Sequence, residues 1–595
     1  MFTTRPELVG TFGMVSSTHW LASAAGMAML EHGGNAFDAA VAAGLVLQVA
    51  EPHLNGPGGD LPILMAAASE ERVRVVCGQG VAPQRASVAH YRSLGLDLIP
   101  GTGLLATVVP GAFDAWMLML RDYGSLAPEV VFEPAIHYAE TGIPTLPRIR
   151  DTIAQVQDLF RTEWTGSAAV YLPHGALPQV NQLLRNPQLA QTWTRMLTEA
   201  KAQAQDRADQ VEALRKMFYQ GFVAEAIDRF CRDEEVMDSS GKRNRAVLSG
   251  EDLARWSASY ESPVSYSFGE WTACKCGPWS QGLVQLQILA LLRDVDWAAT
   301  PPESARFVHL ITEATKLAMA DREAYYGDPN FVEVPVEALL SEEYNTARRR
   351  LLGEEASLEL RPGHLDGLSP RMPRFEVVDP QAPKRFDAMG VGEPTVQKNG
   401  ESRGDTCHVD VVDRWGNMVS AMPSGGWLQS SPVIPELGFC LNSRAQMFWL
   451  DEGLPSTLAP GKRPRTTLTP SLTLREGRPY LAFGTPGGDQ QDQWQTSFLL
   501  RHLRHGLNLQ EAIDCPAFHN ESFPESFFPR RMAPGKLVLE SRFSPEAVED
   551  LRRRGHVVKV EDPWSEGRLC AVSQESGLLK AGANARGMQG YAAGR

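Results

Sequence analysis

The chain has 595 residues, enough for more than one domain's worth of core, and its 43% apolar and 22% charged residues match an ordinary folded protein. A net charge of −14 argues against a nucleic-acid partner, because such binding rests on Lys and Arg neutralising phosphates. The eight cysteines form no CxxC pair, and Cys274-Lys275-Cys276 is too tight for zinc spacing, so they read as free thiols of a reducing compartment.

Met1 to Val9 has one Arg and no apolar core of the kind a secretory signal needs. The first long apolar region, Leu21 to Ala50, is broken by Glu31, His32, Gly33, Gly34, Asn35 and Asp38 and is too interrupted to span a membrane. The expectation is a cytoplasmic protein with no membrane partner. Ser17 to Leu30 predicts a helix, stopped by Gly33-Gly34-Asn35, and Ala36 to Val49 predicts an Ala-rich buried one. Asn55-Gly56-Pro57-Gly58-Gly59-Asp60 is a tight glycine loop, followed by short strands at Leu61 to Ala68 and Val73 to Cys77. Ala112 to about Ala356 reads as mostly helical, most clearly at Phe307 to Tyr326. From about Arg361 to Asp405, Pro362, Pro370, Pro373, Pro380, Pro383 and Pro394 punctuate a polar stretch, the pattern of a linker. His408 to Asp413 and Asn417 to Met422 alternate around Arg414-Trp415-Gly416, which predicts a β-hairpin, and further strands are expected at Ser471 to Leu474 and Tyr480 to Phe483.

Three segments carry possible chemistry. Gly404-Asp405-Thr406-Cys407-His408 lies where the linker meets a strand. A threonine hydroxyl is a poor nucleophile without a base beside it. A chain break before Thr406 would supply one, an α-amine with an unperturbed pKa near ~8. Taken alone, the pentapeptide favours the plainer reading, that Thr406 simply starts a strand. Gly484-Thr485-Pro486-Gly487-Gly488-Asp489 could offer backbone N–H groups to an oxyanion, or be an ordinary turn. Gly461 to Pro470 joins cations to hydroxyls and could hold a carboxylate, or be a solvated loop.

Together these segments resemble the γ-glutamyltransferase family along nearly the whole chain. The resemblance runs from Gly13-Met14-Val15-Ser16-Ser17 through His32 to Ala43, Asn55 to Asp60, Val109-Pro110-Gly111 and Ala320 to Pro329. It continues through Asp405 to His408, Gly461 to Pro464 and Pro486-Gly487-Gly488. It implies an α+β fold, the four-layer αββα sandwich of N-terminal-nucleophile hydrolases. It also implies self-cleavage between Asp405 and Thr406 into a large subunit, 1–405, and a small one, 406–595, that stay associated. A dimer of such processed pairs is one open assembly. Thr406 Oγ would attack the amide, its freed amine would act as base, and Gly487 and Gly488 would bind the oxyanion. No metal or cofactor is implied, and the thirteen histidines show no HExxH spacing. His408 reads as a packed strand histidine, and Cys407 would lack a free amine.

The departures from the family bear on substrate. Gln79 stands where an arginine grips the glutamyl α-carboxylate, and glutamine cannot make that bidentate charged contact. Where the family holds the α-ammonium, this chain has Gly426, with Ser424 in place of a threonine. Its Asn442-Ser443-Arg444-Ala445-Gln446-Met447-Phe448 segment puts Ser443 and Gln446 where Gln and Asp stand. The anion for an ammonium is missing and Arg444 has arrived. Thr466 and Thr467 keep the hydroxyls of two family serines, and the lid-like segment Trp449 to Pro460 looks short. The pocket therefore reads as wanting an anion, held by Arg444 with Thr466 or Thr467, unless Arg444 is a structural ion pair. The pattern is similar to the acylase and amidohydrolase relatives and favours hydrolysis of a small N-acyl or carboxylate-bearing amide. A true γ-glutamyltransferase and a non-catalytic relative are the alternatives. Retention of Thr406, Gly487 and Gly488 together argues against the second.

Overall fold

The structure, a computed structural model, describes residues 2–381 and 406–595. Two seven-stranded antiparallel sheets face each other. The first runs in the order Tyr591–Gly594, Gly13–Ser17, Val409–Asp413, Met418–Ala421, Leu61–Ala66, Val73–Gly78, Ser259–Glu261. The second runs Leu8–Gly10, Leu578–Ala583, Cys570–Glu575, Arg478–Gly484, Ser471–Arg475, Trp271–Lys275, Val264–Phe268.

Side chains on a strand alternate between faces, and here both faces of both sheets are covered. In the first sheet Val409, Val411, Val419, Ile63 and Met65 pack toward helices Trp20–Glu31, Ala36–Ala50 and Ala112–Tyr123. Their neighbours Val412, Met418, Leu64 and Ala66 turn the other way and meet Leu472, Ala482, Val572 and Cys274 of the second sheet. The far face of the second sheet, with Leu481, Phe483, Ala571 and Ala273, packs on helices Leu283–Leu291, Ala305–Tyr325 and Gln491–His505. Three apolar interfaces thus separate four layers, α, β, β and α, as expected. Each fully buried Val or Leu in them contributes about 1.5–3 kcal/mol relative to exposure.

The hairpin after Thr406 forms as read, with Val411 opposite Val419. Asn35 caps Ala36–Ala50 by a reciprocal capping box with Asp38. The helix read from Ser17 instead begins at Trp20, because Gly13–Ser17 is a strand and His19 is the N-cap, its Nδ1 accepting from Leu21 N–H at 3.1 Å. The helical middle is interrupted by strands Ser259–Glu261, Val264–Phe268 and Trp271–Lys275. The proline-rich stretch is described up to residue 381, where Glu376–Val377 pairs with Arg531–Met532; 382–405 lie outside the described residues. All eight cysteines are buried free thiols. Among the described residues no helix is long and apolar enough to cross a membrane.

Candidate active site

Thr406 is fully buried at the inner end of the first sheet, leading into Val409–Asp413. Its Oγ1 lies 3.1 Å from Ser424 Oγ, and the two residues pair as an antiparallel bridge. Behind it, Arg568 donates from Nη2 to the Thr406 carbonyl at 3.2 Å and from Nη1 to Glu51 at 3.3 Å. Glu51 closes the helix Ala36–Ala50 and also accepts from Thr18 Oγ1 at 2.7 Å, Gln589 at 2.6 Å and Cys407 Sγ at 3.0 Å. Burial pushes the Cys407 thiol well up, and the Glu51 carboxylate beside it adds to the push. Cys407 is therefore a neutral hydrogen-bond donor, not a competing thiolate. His408 is buried with Nε2 2.8 Å from Asp410 Oδ1, a hydrogen-bonded strand histidine.

The glycine loop follows strand Arg478–Gly484 and leads through a 3₁₀ turn, Gly488–Gln490, into helix Gln491–His505. Gly487 has φ +134°, and a Cβ there would sit 2.1 Å from Trp494 Cζ3. Only glycine lets the backbone pass this close to the indole. In the amide orientation that satisfies both its ends, Gln491 accepts from Gly488 N–H at 3.2 Å and donates to Thr467 O at 3.3 Å. Any other acceptor at Gly488 N–H would have to displace that side chain.

Arg444 stands in the 3₁₀ turn Arg444–Met447 and is 1% exposed. Its Nε lies 2.9 Å from Oδ1 and 2.7 Å from Oδ2 of Asp60, the last residue of the Asn55–Asp60 loop. Asp60 is itself bridged through its backbone to Ser424. Arg444 Nη1 and Nη2 have no partner among the described residues. The guanidinium lies 5.0 Å from the Trp427 ring and 5.9 Å from the Phe527 ring. Arg444 is thus an ion pair with Asp60 along one edge of its guanidinium, while its two terminal nitrogens stay unmet among the described residues.

The other expected residues divide. Ser424 is against Thr406. Thr467 is buried with Oγ1 unpartnered among the described residues, while Thr466 Oγ1 accepts from Leu468 N–H at 3.3 Å. Thr466 O accepts from Gln281 N–H at 2.9 Å, and Gln281 Nε2 donates to Gly488 O at 3.3 Å, which ties this segment to the glycine loop. Gln446 is committed to structure: it donates to Gly101 O at 3.2 Å and Ser443 O at 2.9 Å, and accepts from Phe528 N–H at 3.1 Å. Gln79 is buried at the end of Val73–Gly78, with Nε2 donating to Gly80 O at 3.2 Å.

A strap, residues 526–530, closes the ring of contacts. Ser526 donates to Asp489 from N at 2.7 Å and Oγ at 2.6 Å, and Arg530 Nη2 donates to Gln446 O at 3.0 Å. The strap therefore joins the glycine loop to the Arg444 turn. Neither it nor the Glu51–Arg568 pair is found by sequence reasoning, since these contacts span up to 517 residues and follow no local spacing.

His309, Glu313 and His556 place ligand-type atoms within 4.8 Å of one another. Two of them bond each other, with His309 Nδ1 2.9 Å from His556 Nε2, and Glu313 is paired with Lys316 instead. A cation there would meet the Lys316 ammonium, so the group fits a structural tie better than a metal site.

A sequence model described as gamma-glutamyltranspeptidase matches residues 22–594. The chain is 30% identical to the glutathione hydrolase-like YwrD proenzyme of Bacillus subtilis, covering 98% of each. It is also 30% identical to the oxamate amidohydrolase proenzyme of Klebsiella pneumoniae, covering 98% of this chain and 99% of that one. Among solved structures, LmbA2991HD is 57% identical with a TM-score of 0.94 over 100% of both chains. The cephalosporin acylase of Bacillus halodurans is 26% identical with a TM-score of 0.82, covering 100% of this chain and 97% of that one.

Proposed function

The chain belongs to the γ-glutamyltranspeptidase family and is an enzyme of the N-terminal-nucleophile hydrolase type; on that premise we propose that it cleaves itself before Thr406 and then hydrolyses small amides whose acyl part carries a carboxylate. The observation that carries the substrate reading is Arg444, a buried guanidinium whose two terminal nitrogens lack partners among the described residues, joined through Asp60 and Ser424 to the Thr406 hydroxyl. A buried cation with open donors is costly unless an anion meets it. The oxamate amidohydrolase relative supports the reading, because oxamate is an amide with a carboxylate in its acyl part. A γ-glutamyl group would also need an anion for its ammonium, and the carboxylate beside Ser424, Asp60, is already paired with Arg444.

In processing, Thr406 Oγ attacks the carbonyl of Asp405. The peptide C–N bond breaks as the ester forms, which frees the Thr406 amine, and water then hydrolyses that ester to give the Asp405 carboxylate and the Thr406 hydroxyl. In turnover that amine takes the hydroxyl proton while Oγ attacks the substrate carbonyl. Gly487 and Gly488 N–H groups meet the developing oxyanion. The amine leaves with the proton, and water hydrolyses the acyl ester to return free Thr406.

Intact mass spectrometry under denaturing conditions tests processing. Two species matching 1–405 and 406–595 are expected, and Thr406→Ala should give one uncut, inactive chain. A wild type that stays full-length on incubation overturns the proposal. For substrate, glutaryl p-nitroanilide should be cleaved faster than the γ-glutamyl compound. The reverse order, by orders of magnitude, removes the carboxylate reading and leaves a true γ-glutamyltransferase.

A further inference from the structure

We infer that Arg530 forms a second anion-binding position beside the active site, so that the enzyme is fitted to substrates carrying a carboxylate in addition to the one met by Arg444. This rests on the amide-hydrolase reading for its role in turnover but not for the binding itself.

Arg530 ends the strap and is 1% exposed. Its guanidinium lies 3.9 Å over the Trp449 ring, so one face is covered. Nη2 donates to the neutral carbonyl of Gln446, and Nε and Nη1 have no partner among the described residues.

The charges around it do not balance. Arg322, Arg465 and Arg530 face two carboxylates, Glu323 and Asp489. Glu323 Oε1 accepts from Arg322 Nη2 at 2.8 Å and from Arg465 Nη2 at 2.7 Å. Asp489 is taken by Arg322 and by Ser526. Asp489 and Glu323 Oε1 are taken by the other two arginines, and Arg530 is the third cation of the group. Burial, only partly offset by Glu323 and Asp489 and reinforced by Arg465 and Arg322, pushes its pKa down to about 9. A group held this way gains most from an added anion, since a desolvated charge is stabilised chiefly by a direct counter-charge. Glu323 Oε2 is also unpartnered, so a water bridging it to Arg530 is the competing occupant.

Placement makes the anion a substrate group. Gln446 belongs to the turn that begins with Arg444, and Asp489 directly follows Gly488. Arg530 bonds the first and lies in the charge group of the second, so it stands in the wall between the carboxylate holder and the proposed oxyanion loop. The second carboxylate belongs either to the acyl part or to the departing amine.

Two pairs of amides separate these sources in processed protein. Glutaryl anilide is compared with the anilide of tricarballylic acid, whose acyl part has two free carboxylates, and with glutaryl 4-aminobenzoate, whose amine carries one. The wild type should favour one of the two richer substrates at least tenfold in kcat/KM, and Arg530→Gln should reduce that ratio at least tenfold. Arg530→Lys, which keeps the charge, should retain part of it and serves if the Gln variant melts early. Calorimetric titration with tricarballylate against glutarate reads binding without turnover. Arg530-dependent tricarballylate binding in a protein that hydrolyses none of the amides would keep this site and refute the proposed substrate class. A wild type with no preference for extra carboxylates in either assay, or a preference untouched by Arg530→Gln, overturns the inference and leaves the water bridge.

Discussion

In the proposed mechanism, Gly487 is where a single atom decides the chemistry. An alanine there would place its Cβ 2.1 Å from Trp494 Cζ3 and hold φ near +134°, which L residues avoid. The loop must shift by more than an ångström, and a misplaced donor no longer meets the oxyanion. Gly487→Ala should therefore lower kcat by about 10²–10³, the usual loss of one oxyanion donor, and slow self-cleavage as well. KM for a glutaryl amide should change little, because Arg444 is untouched. A kcat for the processed variant within threefold of wild type would show that Gly487 N–H does not serve the reaction. At this scale the sequence is informative where one residue type is demanded by its immediate neighbours. Thr406 at a linker–strand junction and the Gly487-Gly488 pair are visible for that reason. The partners that tune them are not. Arg568 reaches the Thr406 carbonyl across 162 residues, and Asp60 reaches Arg444 across 384. Gln446, read as a pocket residue because of its place in a motif, is instead consumed by main-chain groups that no spacing reveals.

The helix Gln491–His505 and the strand Phe518–Asn520 meet under the glycine loop, where Trp494 lies edge-on to His519 with centroids 5.9 Å apart. Burial would lower the His519 pKa, but Glu566 at 2.5 Å and Glu521 at 3.4 Å outweigh it and raise the pKa to about 9. A folded pKa above the unfolded value of about 6.5 means that the charged form stabilises the fold. That contribution is complete below pH 6.5 and is lost as pH rises through 9. The melting temperature should fall from pH 6.5 to 9.5, and His519→Gln should flatten the decline while lowering stability at pH 6.5. Parallel pH profiles for the two proteins would show that His519 is not the charged support of this corner. Long elements with a strong period, such as Ala305–Tyr325 and the 409–421 hairpin, were legible. The three strands between Ser259 and Lys275 were not, because they are short segments between helices. Their partner strands, Ser471–Arg475 and Val73–Gly78, lie far away in sequence.

At the scale of the molecule, the strand order constrains what cleavage can do. In the first sheet Val409–Asp413 pairs with Gly13–Ser17, which in turn pairs with Tyr591–Gly594, and Met418–Ala421 pairs with Leu61–Ala66. In the second sheet Leu8–Gly10 lies on Leu578–Ala583 and Trp271–Lys275 on Ser471–Arg475. Both sheets therefore mix strands from before and after residue 405. Pulling the two parts apart would strand rows of buried N–H and C=O groups, each costing about 1–3 kcal/mol when left unsatisfied. It would also open the apolar layer between the sheets. The four-layer plan was legible through family resemblance alone, since strands covered on both faces lack the in–out alternation that marks a half-exposed sheet. Cleaved protein should elute as one species in native size-exclusion chromatography and melt in one transition, with separation only in denaturant. Residues 1–405 expressed alone should stay unfolded by circular dichroism and near-ultraviolet spectra, because Leu8–Gly10 and Gly13–Ser17 lose every strand partner and Leu61–Ala66 and Trp271–Lys275 each lose one. A stably folded 1–405 fragment would mean that the large part carries a complete core of its own and that the shared sheets are not what holds the processed enzyme together.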